Sequence, residues 1–516
     1  MCGILAHFGS PAVADTIDEY REFDENDLKQ PIETHDNNNL FRELIPYIVR
    51  RGPNYASLRS LSEINASFFS SVLSLRSPFT KQSVIVEDRY VLQYNGELYN
   101  DGTVQDCKHS DTEYIISLLQ GNASIKDVVR KCCGEFAYVI TDLQEKKVFF
   151  GRDSIGKRSL SYRLLEDDLF ITSTSGRCKG FLNCLAGVIY SFDLVNKKLT
   201  DTIKIHDSPF AVSEQIDNDF SQLHQYKEKL YEIFSDSVHK RLTTIHPMHV
   251  ENNNISVLFS GGLDCSVIAA LLCKQLVNDN KYSETVVELL NVGFENPRTG
   301  KMPSDSPDRI LALKSADLLR QLFPQVKIKL VEVDVSYDEY LLHKDTVVDL
   351  IYPKNTEMDL SIAIAFYFAA RGKGKVTENG KTTSYTRSGV VLFSGLGADE
   401  LYGGYHKFSN ISNEELVIEL QRQINQIHDR NLNRDDKVIA NHGVEVRYPF
   451  LSEDVVQFSV NLPLNYKTNK LILRAVSKDI LGLDFISEEP KRAIQFGARS
   501  AKMTKDSNKK GTDLLK

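Results

Sequence analysis

The first residue capable of covalent chemistry is Cys2. Removal of Met1 would leave it with both a thiol and a free α-amine, so that nucleophile and base come in one residue. An unperturbed α-amine titrates near ~7.7–8.0 and can take up a proton around neutral pH. A second run with chemical potential is Ser260-Gly261-Gly262-Leu263-Asp264-Cys265-Ser266. Glycines allow backbone to approach a phosphate closely, and a helix N-terminus favours negative charge. The run lacks the Lys-Ser/Thr pair of a Walker A loop. The nearest such spacing, Gly374 to Lys381-Thr382, has one residue too many and falls in a polar stretch. The 12 His show no zinc-like spacing, and the 8 Cys form no CxxC pair and no disulfide framework.

These residues need elements to position them. Residues 84–86, 90–93, 136–140, 147–150 and 168–172 are short β-rich runs separated by turn residues such as Asn95-Gly96 and Asp153. Residues 14–39 are polar and acidic, and predict a surface insertion. Beyond about residue 190 the pattern changes. Leu230, Ile233, Phe234 and Val238 share one face of a helix over 226–242. A buried strand over 255–259 runs through the Gly-rich loop into a helix over 267–276. Strand, helix, strand and strand follow at 287–293, 308–322, 326–333 and 389–393. This alternation predicts a mostly parallel sheet with helices on both faces. Composition marks 371–389 as a flexible surface loop, and the lysine-rich last dozen residues as disordered.

A length of 516 residues favours two or more domains, and the boundary is placed within 205–225. Hydrophobic and charged contents of 41% and 26% suit a soluble globular chain. The net charge of −8 argues against nucleic acid as the main partner. No apolar run approaches the ~20 residues of a membrane helix, and a reduced, cytoplasmic protein is the expectation.

Five motifs occur in order: MCGILAHFG, Arg50-Arg51-Gly52-Pro53, Asn95-Gly96-Glu97-Leu98-Tyr99-Asn100, Ser110-Asp111-Thr112-Glu113 and Gly151-Arg152-Asp153-Ser154-Ile155-Gly156. Over residues 2–190 they resemble the class II glutamine amidotransferases, a branch of the N-terminal-nucleophile (Ntn) hydrolases. The resemblance implies an α+β, αββα glutaminase domain over 2–208 that frees ammonia from glutamine through a thioester on Cys2. It further implies that Arg51 pairs with the glutamine α-carboxylate and that Asp111 binds the α-ammonium, with Glu97 nearby. The Asn95 side chain and the Gly96 N–H would form the oxyanion hole. Asn54 stands where the family has Asp. Each motif alone also has a plain structural reading: a hairpin turn at Asn95-Gly96, a loop at Arg51-Gly52-Pro53 and a helix cap at Ser110-Asp111-Thr112-Glu113.

The Ser260–Ser266 run is similar to the pyrophosphate loop of ATP pyrophosphatases, which activate a carboxylate as an acyl-adenylate. Phe393-Ser394-Gly395-Leu396-Gly397-Ala398-Asp399-Glu400 and His442-Gly443-Val444-Glu445-Val446-Arg447-Tyr448-Pro449-Phe450-Leu451 resemble asparagine synthetases. The likeness spans nearly the whole chain, and most of all the divergent asparagine synthetase domain-containing proteins. It implies an α/β ATP-pyrophosphatase (adenine nucleotide alpha hydrolase-like) domain over 209–516 that uses ATP and Mg²⁺. Ser260, Gly261, Gly262 and Ser266 would hold pyrophosphate, and Asp264 and Asp399 would hold Mg²⁺. Leu258, Val292, Ser394 and Gly395 would contact adenosine. Two departures touch the acceptor side, Leu396 for a family Glu and Ala493 for Lys, with Lys491 or Arg492 as a shifted source of charge, and Cys265 replaces a family Ser whose hydroxyl can bond pyrophosphate. Three readings stay open: an asparagine-forming ligase whose small-molecule substrates are glutamine, ATP and aspartate, the same ATP chemistry on another carboxylate, and a binding protein that keeps the fold.

Overall fold

The computed structural model describes residues 2–9, 18–34, 38–76, 79–100, 110–121, 123–200, 202–206, 210–245, 254–405, 408, 411–503 and 510–515. Two compact units emerge. The first comprises Met1–Asp207 together with Val348–Lys354 and His428–Glu445, and the second comprises the remainder.

The first unit contains two antiparallel sheets. In one, the order is Leu182–Asn183, Ser161–Leu165, Asp168–Thr172, Gly3–Phe8, Ala66–Val72, Tyr55–Leu61 and Glu19–Asp24. In the other it is Lys198–Leu199, Val188–Asp193, Lys147–Arg152, Gly134–Asp142, Tyr90–Leu98 and Val84–Val86. The period-two alternation of a strand explains the layering. Ile4, Ala6 and Phe8 pack with Val91, Ala137, Val139 and Phe150 of the second sheet, whereas Leu5 points the other way. Leu5 packs with Phe41, Leu44, Ile45 and Ile48 of helix Asn39–Val49, whose spacing gives one apolar face. Asn38 caps that helix, accepting from the Leu40 amide at 2.9 Å. On the far side, Leu92, Tyr94 and Ile140 pack with Ile115 and Leu119 of helix Asp111–Gln120 and with Val128 and Val129 of helix Ile125–Lys131. The layers are therefore α, β, β, α, as the amidotransferase resemblance implies.

The second unit is built on one sheet, ordered Lys381–Thr386, Lys373–Glu378, Lys327–Val335, Val286–Phe294, Ile255–Leu258, Val391–Phe393 and Glu445–Arg447. The pairs among Lys327–Val335, Val286–Phe294, Ile255–Leu258 and Val391–Phe393 are parallel. Helices Leu263–Asn278 and Pro307–Leu322 pack on these strands, which gives the expected α/β architecture.

Four expectations are corrected. Asn95-Gly96 does not turn; it lies inside strand Tyr90–Leu98, opposite Ala137 and Phe136, because pairing with Gly134–Asp142 overrides local turn preference. Part of 14–39 is a strand, Glu19–Asp24, paired with Tyr55–Leu61; residues 14–17 and 35–37 of that stretch lie outside the described residues. The polar stretch 371–389 is a hairpin, Lys373–Glu378 with Lys381–Thr386. Its turn, Asn379-Gly380, has φ of 51° and 74°, the left-handed pair a tight hairpin demands. Buried Glu288 anchors it, accepting from Tyr385 Oη at 2.7 Å, Ser388 N at 2.9 Å and Gly389 N at 3.1 Å. The end of the chain also docks: Leu515 N donates to Asn355 O at 2.7 Å. Residues 505–509 and 516 of the tail lie outside the described residues.

Candidate active site

In the first unit, Cys2 immediately precedes strand Gly3–Phe8, and its N–H donates to Asn95 Oδ1 at 2.9 Å. Asn95 is fully buried, and its Nδ2 has no hydrogen-bond partner among the described residues. A buried amide donor left unmet is costly, and this one is free to donate to an oxygen that enters beside it. Gly96 allows two strands to close here: a Cβ on it would lie 2.1 Å from the Glu135 carbonyl oxygen.

Helix Asn39–Val49 delivers Arg51, whose N–H donates to Ile48 O at 3.1 Å. Gly52 follows flat against Ala66–Val72, since a Cβ there would meet Val72 N at 2.3 Å. Arg51 Nε donates to the Cys2 carbonyl at 3.2 Å and Nη2 to Asp436 Oδ2 at 3.0 Å. Ser110 caps helix Asp111–Gln120 in a full capping box with Glu113, as the plain structural reading of that motif has it. Asp111 then sits in the first turn, buried, with Oδ2 without a hydrogen-bond partner among the described residues. Burial raises its carboxyl pKa against the pull of Arg76, and Glu445 adds to the rise. Glu97 pairs with Arg76 at 2.6 Å; it supports the cation beside Asp111.

Cys2 keeps some exposed surface, yet its thiol is deep enough that desolvation pushes its pKa up to about 11. Asp111 and Glu445 push it up further. Such a thiol is protonated at neutral pH and needs a base beside it.

Sequence reasoning named no role for Asp436, Arg158, Ser159 or Glu445. Asp436 is fully buried and accepts from Ser159 N at 3.0 Å and Ser159 Oγ at 2.6 Å, besides Arg51. Burial alone would raise its pKa, but Arg51, Arg158 and these hydrogen bonds bring it below the ordinary value. Arg158 lies 3.2 Å from Glu135, 3.6 Å from Asp436 and 3.7 Å from Glu445. No local pattern signals these partners; a charged residue announces burial only through its partner.

In the second unit, the phosphate-type loop follows strand Ile255–Leu258. Gly261 takes φ 79°, and a Cβ on it would lie 2.5 Å from Ala312 N. Gly262 N donates to Ser260 Oγ at 3.3 Å, and Ser266 Oγ to Gly261 O at 3.3 Å. Cys265 Sγ lies 3.5 Å from Ser260 Oγ and donates to Gly262 O at 3.3 Å, so the thiol faces inward to its own loop. Leu258, Val292 and Ser394 stand at or just beyond the carboxyl ends of adjacent parallel strands, where open α/β sheets bind ligands. The second loop closes on the first, with no room for a Cβ at Gly395, which would lie 2.9 Å from the Asp264 Cβ.

Asp264 and Asp399 converge on one cation. Lys470 Nζ lies 2.7 and 2.6 Å from the two Asp264 oxygens and 2.6 Å from Asp399 Oδ1. Lys491 donates to Asp399 Oδ2 in the second loop. Arg492 lies 3.7 Å from Asp308 instead. Burial opposes ionisation of Asp399, yet Lys470 and Lys491 hold its carboxyl well below the usual range. Two hard carboxylates already sharing a positive charge fit Mg²⁺, which commonly takes one or two carboxylates and completes its shell from phosphate and water. Among the described residues no three His, Cys, Asp or Glu side chains form a metal-holding group.

A family model described as a glutamine amidotransferase domain matches residues 73–179, and one described as asparagine synthase matches 229–418 and 412–514. An asparagine synthetase domain-containing protein of Saccharomyces cerevisiae is 56% identical, covering 100% of this chain and 99% of its own. Asparagine synthetase domain-containing protein 1 of Gallus gallus is 28% identical over 91% of this chain and 95% of its own. The glutamine-hydrolysing asparagine synthetase of Homo sapiens is 28% identical over 88% of this chain and 81% of its own. No helix among the described residues is long and apolar enough to cross a membrane.

Proposed function

The chain belongs to the asparagine synthase family, with its amidotransferase domain, and from that premise we propose that it is a glutamine-dependent, ATP-consuming amide ligase forming asparagine from aspartate. The observation that carries this reading is the joint placement of Cys2 and Asn95, with the carboxamide oxygen on Cys2 N and the amide nitrogen left for a ligand oxygen.

Once Met1 is gone, the Cys2 amine takes the thiol proton and the thiolate attacks the glutamine side-chain carbonyl. Asn95 Nδ2 receives the developing oxyanion, a contribution of roughly 3 kcal/mol in comparable sites. Arg51 holds the α-carboxylate as a planar fork, and Asp111 holds the α-ammonium. In the second unit, Ser260, Gly261, Gly262 and Ser266 cradle pyrophosphate, and Leu258, Val292, Ser394 and Gly395 line the adenosine. Asp264 and Asp399 would hold Mg²⁺, which would supply charge neutralisation at the phosphates. Lys470 would meet part of the remaining phosphate charge.

A second reading, the same chemistry on another carboxylate, is favoured by Leu396. It offers neither proton acceptor nor counter-charge in the second loop, while Lys491 and Arg492 are engaged by Asp399 and Asp308. The test is pyrophosphate release from ATP, Mg²⁺, aspartate and ammonium, with asparagine assayed in parallel. Equal amounts of both products support the first reading. Product only with other carboxylates supports the second, and none with any carboxylate defeats both.

A further inference from the structure

We propose that Asp436 is the positioning residue that fixes Arg51 as the reader of the glutamine α-carboxylate, an assignment that rests on the glutaminase reading above. A guanidinium is a rigid plane, and two anchors in that plane fix its tilt and rotation. Arg51 has both: Nε on the Cys2 carbonyl at 3.2 Å and Nη2 on Asp436 at 3.0 Å. The nucleophile's own backbone and the carboxylate fork are thereby held in one frame. Asp436 is itself immobilised, since Ser159 donates to it through both N and Oγ, and Arg158 lies 3.6 Å away. It arrives on helix Asn433–Ala440, within the segment His428–Glu445 that packs with the first unit.

A purely stabilising ion pair is the competing explanation. Buried pairs are weak contributors to net stability, because desolvation offsets their attraction. A stability role also gives no reason for the same guanidinium to be tied to the carbonyl of Cys2. Positioning explains both anchors together. It also makes a demand that stability does not: loss of Asp436 must harm recognition of one group of the substrate and spare the rest.

The experiment compares hydrolysis of L-glutamine with that of 4-aminobutanamide, which lacks the α-carboxylate, using the full chain. In Asp436→Asn, KM for glutamine should rise about ten-fold, as expected for a displaced charge-assisted contact. The kcat/KM for 4-aminobutanamide should change less than about three-fold, so the preference for glutamine collapses. Ser159→Ala, a milder change, should shift the ratio the same way and serves if Asp436→Asn does not fold. Equal losses on both amides, or an unchanged glutamine KM, would overturn the assignment while leaving the glutaminase reading intact. Failure of the unaltered chain to hydrolyse glutamine would overturn both.

Discussion

Lys470 grips Asp264 symmetrically, with its ammonium 2.7 and 2.6 Å from the two carboxylate oxygens, and reaches Asp399 at 2.6 Å in the same position. One side chain thus stitches the first phosphate-type loop to the second. Gly404 makes room for this, since a Cβ there would meet Asp399 Oδ1 at 2.1 Å and Lys470 Cε at 2.4 Å. The two loops are held in register by charge.

If that junction is the ATP site, Asp264→Ala removes ATP-dependent pyrophosphate release whether the nitrogen comes from glutamine or ammonium. Glutamine hydrolysis at Cys2 stays within about two-fold, because Asp264 has no part in the chemistry at Cys2. Parallel pyrophosphate and glutamate assays check both halves, and a surviving ammonium-driven reaction would rule out the Mg²⁺ role.

Cys2→Ala has the opposite signature: no glutamate from glutamine, with ammonium-driven synthesis unchanged. Asn95→Ala keeps the nucleophile but loses the donor at the oxyanion, and kcat for glutamine falls about 10²–10³-fold with a smaller change in KM. A fall below ten-fold would assign Asn95 a scaffolding role.

Arg158→Met leaves Glu135, Asp436 and Glu445 buried without their central cation. A loss of about 3–5 kcal/mol is expected at neutral pH, read from urea melts. A loss below about 1 kcal/mol would count against this role for Arg158.

His428 gives a signed pH effect. Its Nδ1 lies 3.1 Å from Arg152 Nη2, which must donate to it, so the ring is neutral when folded. Burial first, and then Arg152, push its pKa down to about 4 from an ordinary 6.5. Between these values the unfolded chain binds the extra proton, so stability rises with pH across that window and is complete above pH 6.5. The effect is at most roughly 3 kcal/mol. His428→Asn should flatten the slope of unfolding free energy between pH 4 and 6.5, and an unaltered slope would count against it.

The legible parts of the molecule were those whose chemistry needs neighbours in sequence. The Ser260–Ser266 loop, the apolar face of Leu223–Thr243 and the parallel strands all depend on local spacing, and the structure has them within a few residues. Asn379-Gly380 was equally legible, since that pair flanked by alternating residues is a strong hairpin signal; the polar composition of the stretch masked it. Asn95-Gly96 is the reverse case, the same dipeptide held extended by its neighbouring strand. What local pattern could not disclose was pairing at a distance. Nothing around Asp436 in Arg434-Asp435-Asp436-Lys437 distinguishes the carboxylate that meets Arg51 from its neighbours.

Glu288 is the last test. It is fully buried on a parallel strand and accepts from Ser256, Tyr385, Ser388 and Gly389. Glu288→Ala should release the 373–386 hairpin, exposing its backbone to limited proteolysis and raising amide exchange there, as buried donors lose about 1–3 kcal/mol each when left unmet. Unchanged exchange would mean strand pairing alone holds the hairpin.

The partnership of Arg51 with Asp436 also has a place in time. The two are separated by 385 positions, and a ribosome adding about 5–20 residues per second would need roughly 20–80 s to span them. On the glutaminase reading, the nascent N-terminal half lacks through that interval the carboxylate that orients Arg51. An abandoned translation product would then bind glutamine about ten-fold more weakly than the whole chain.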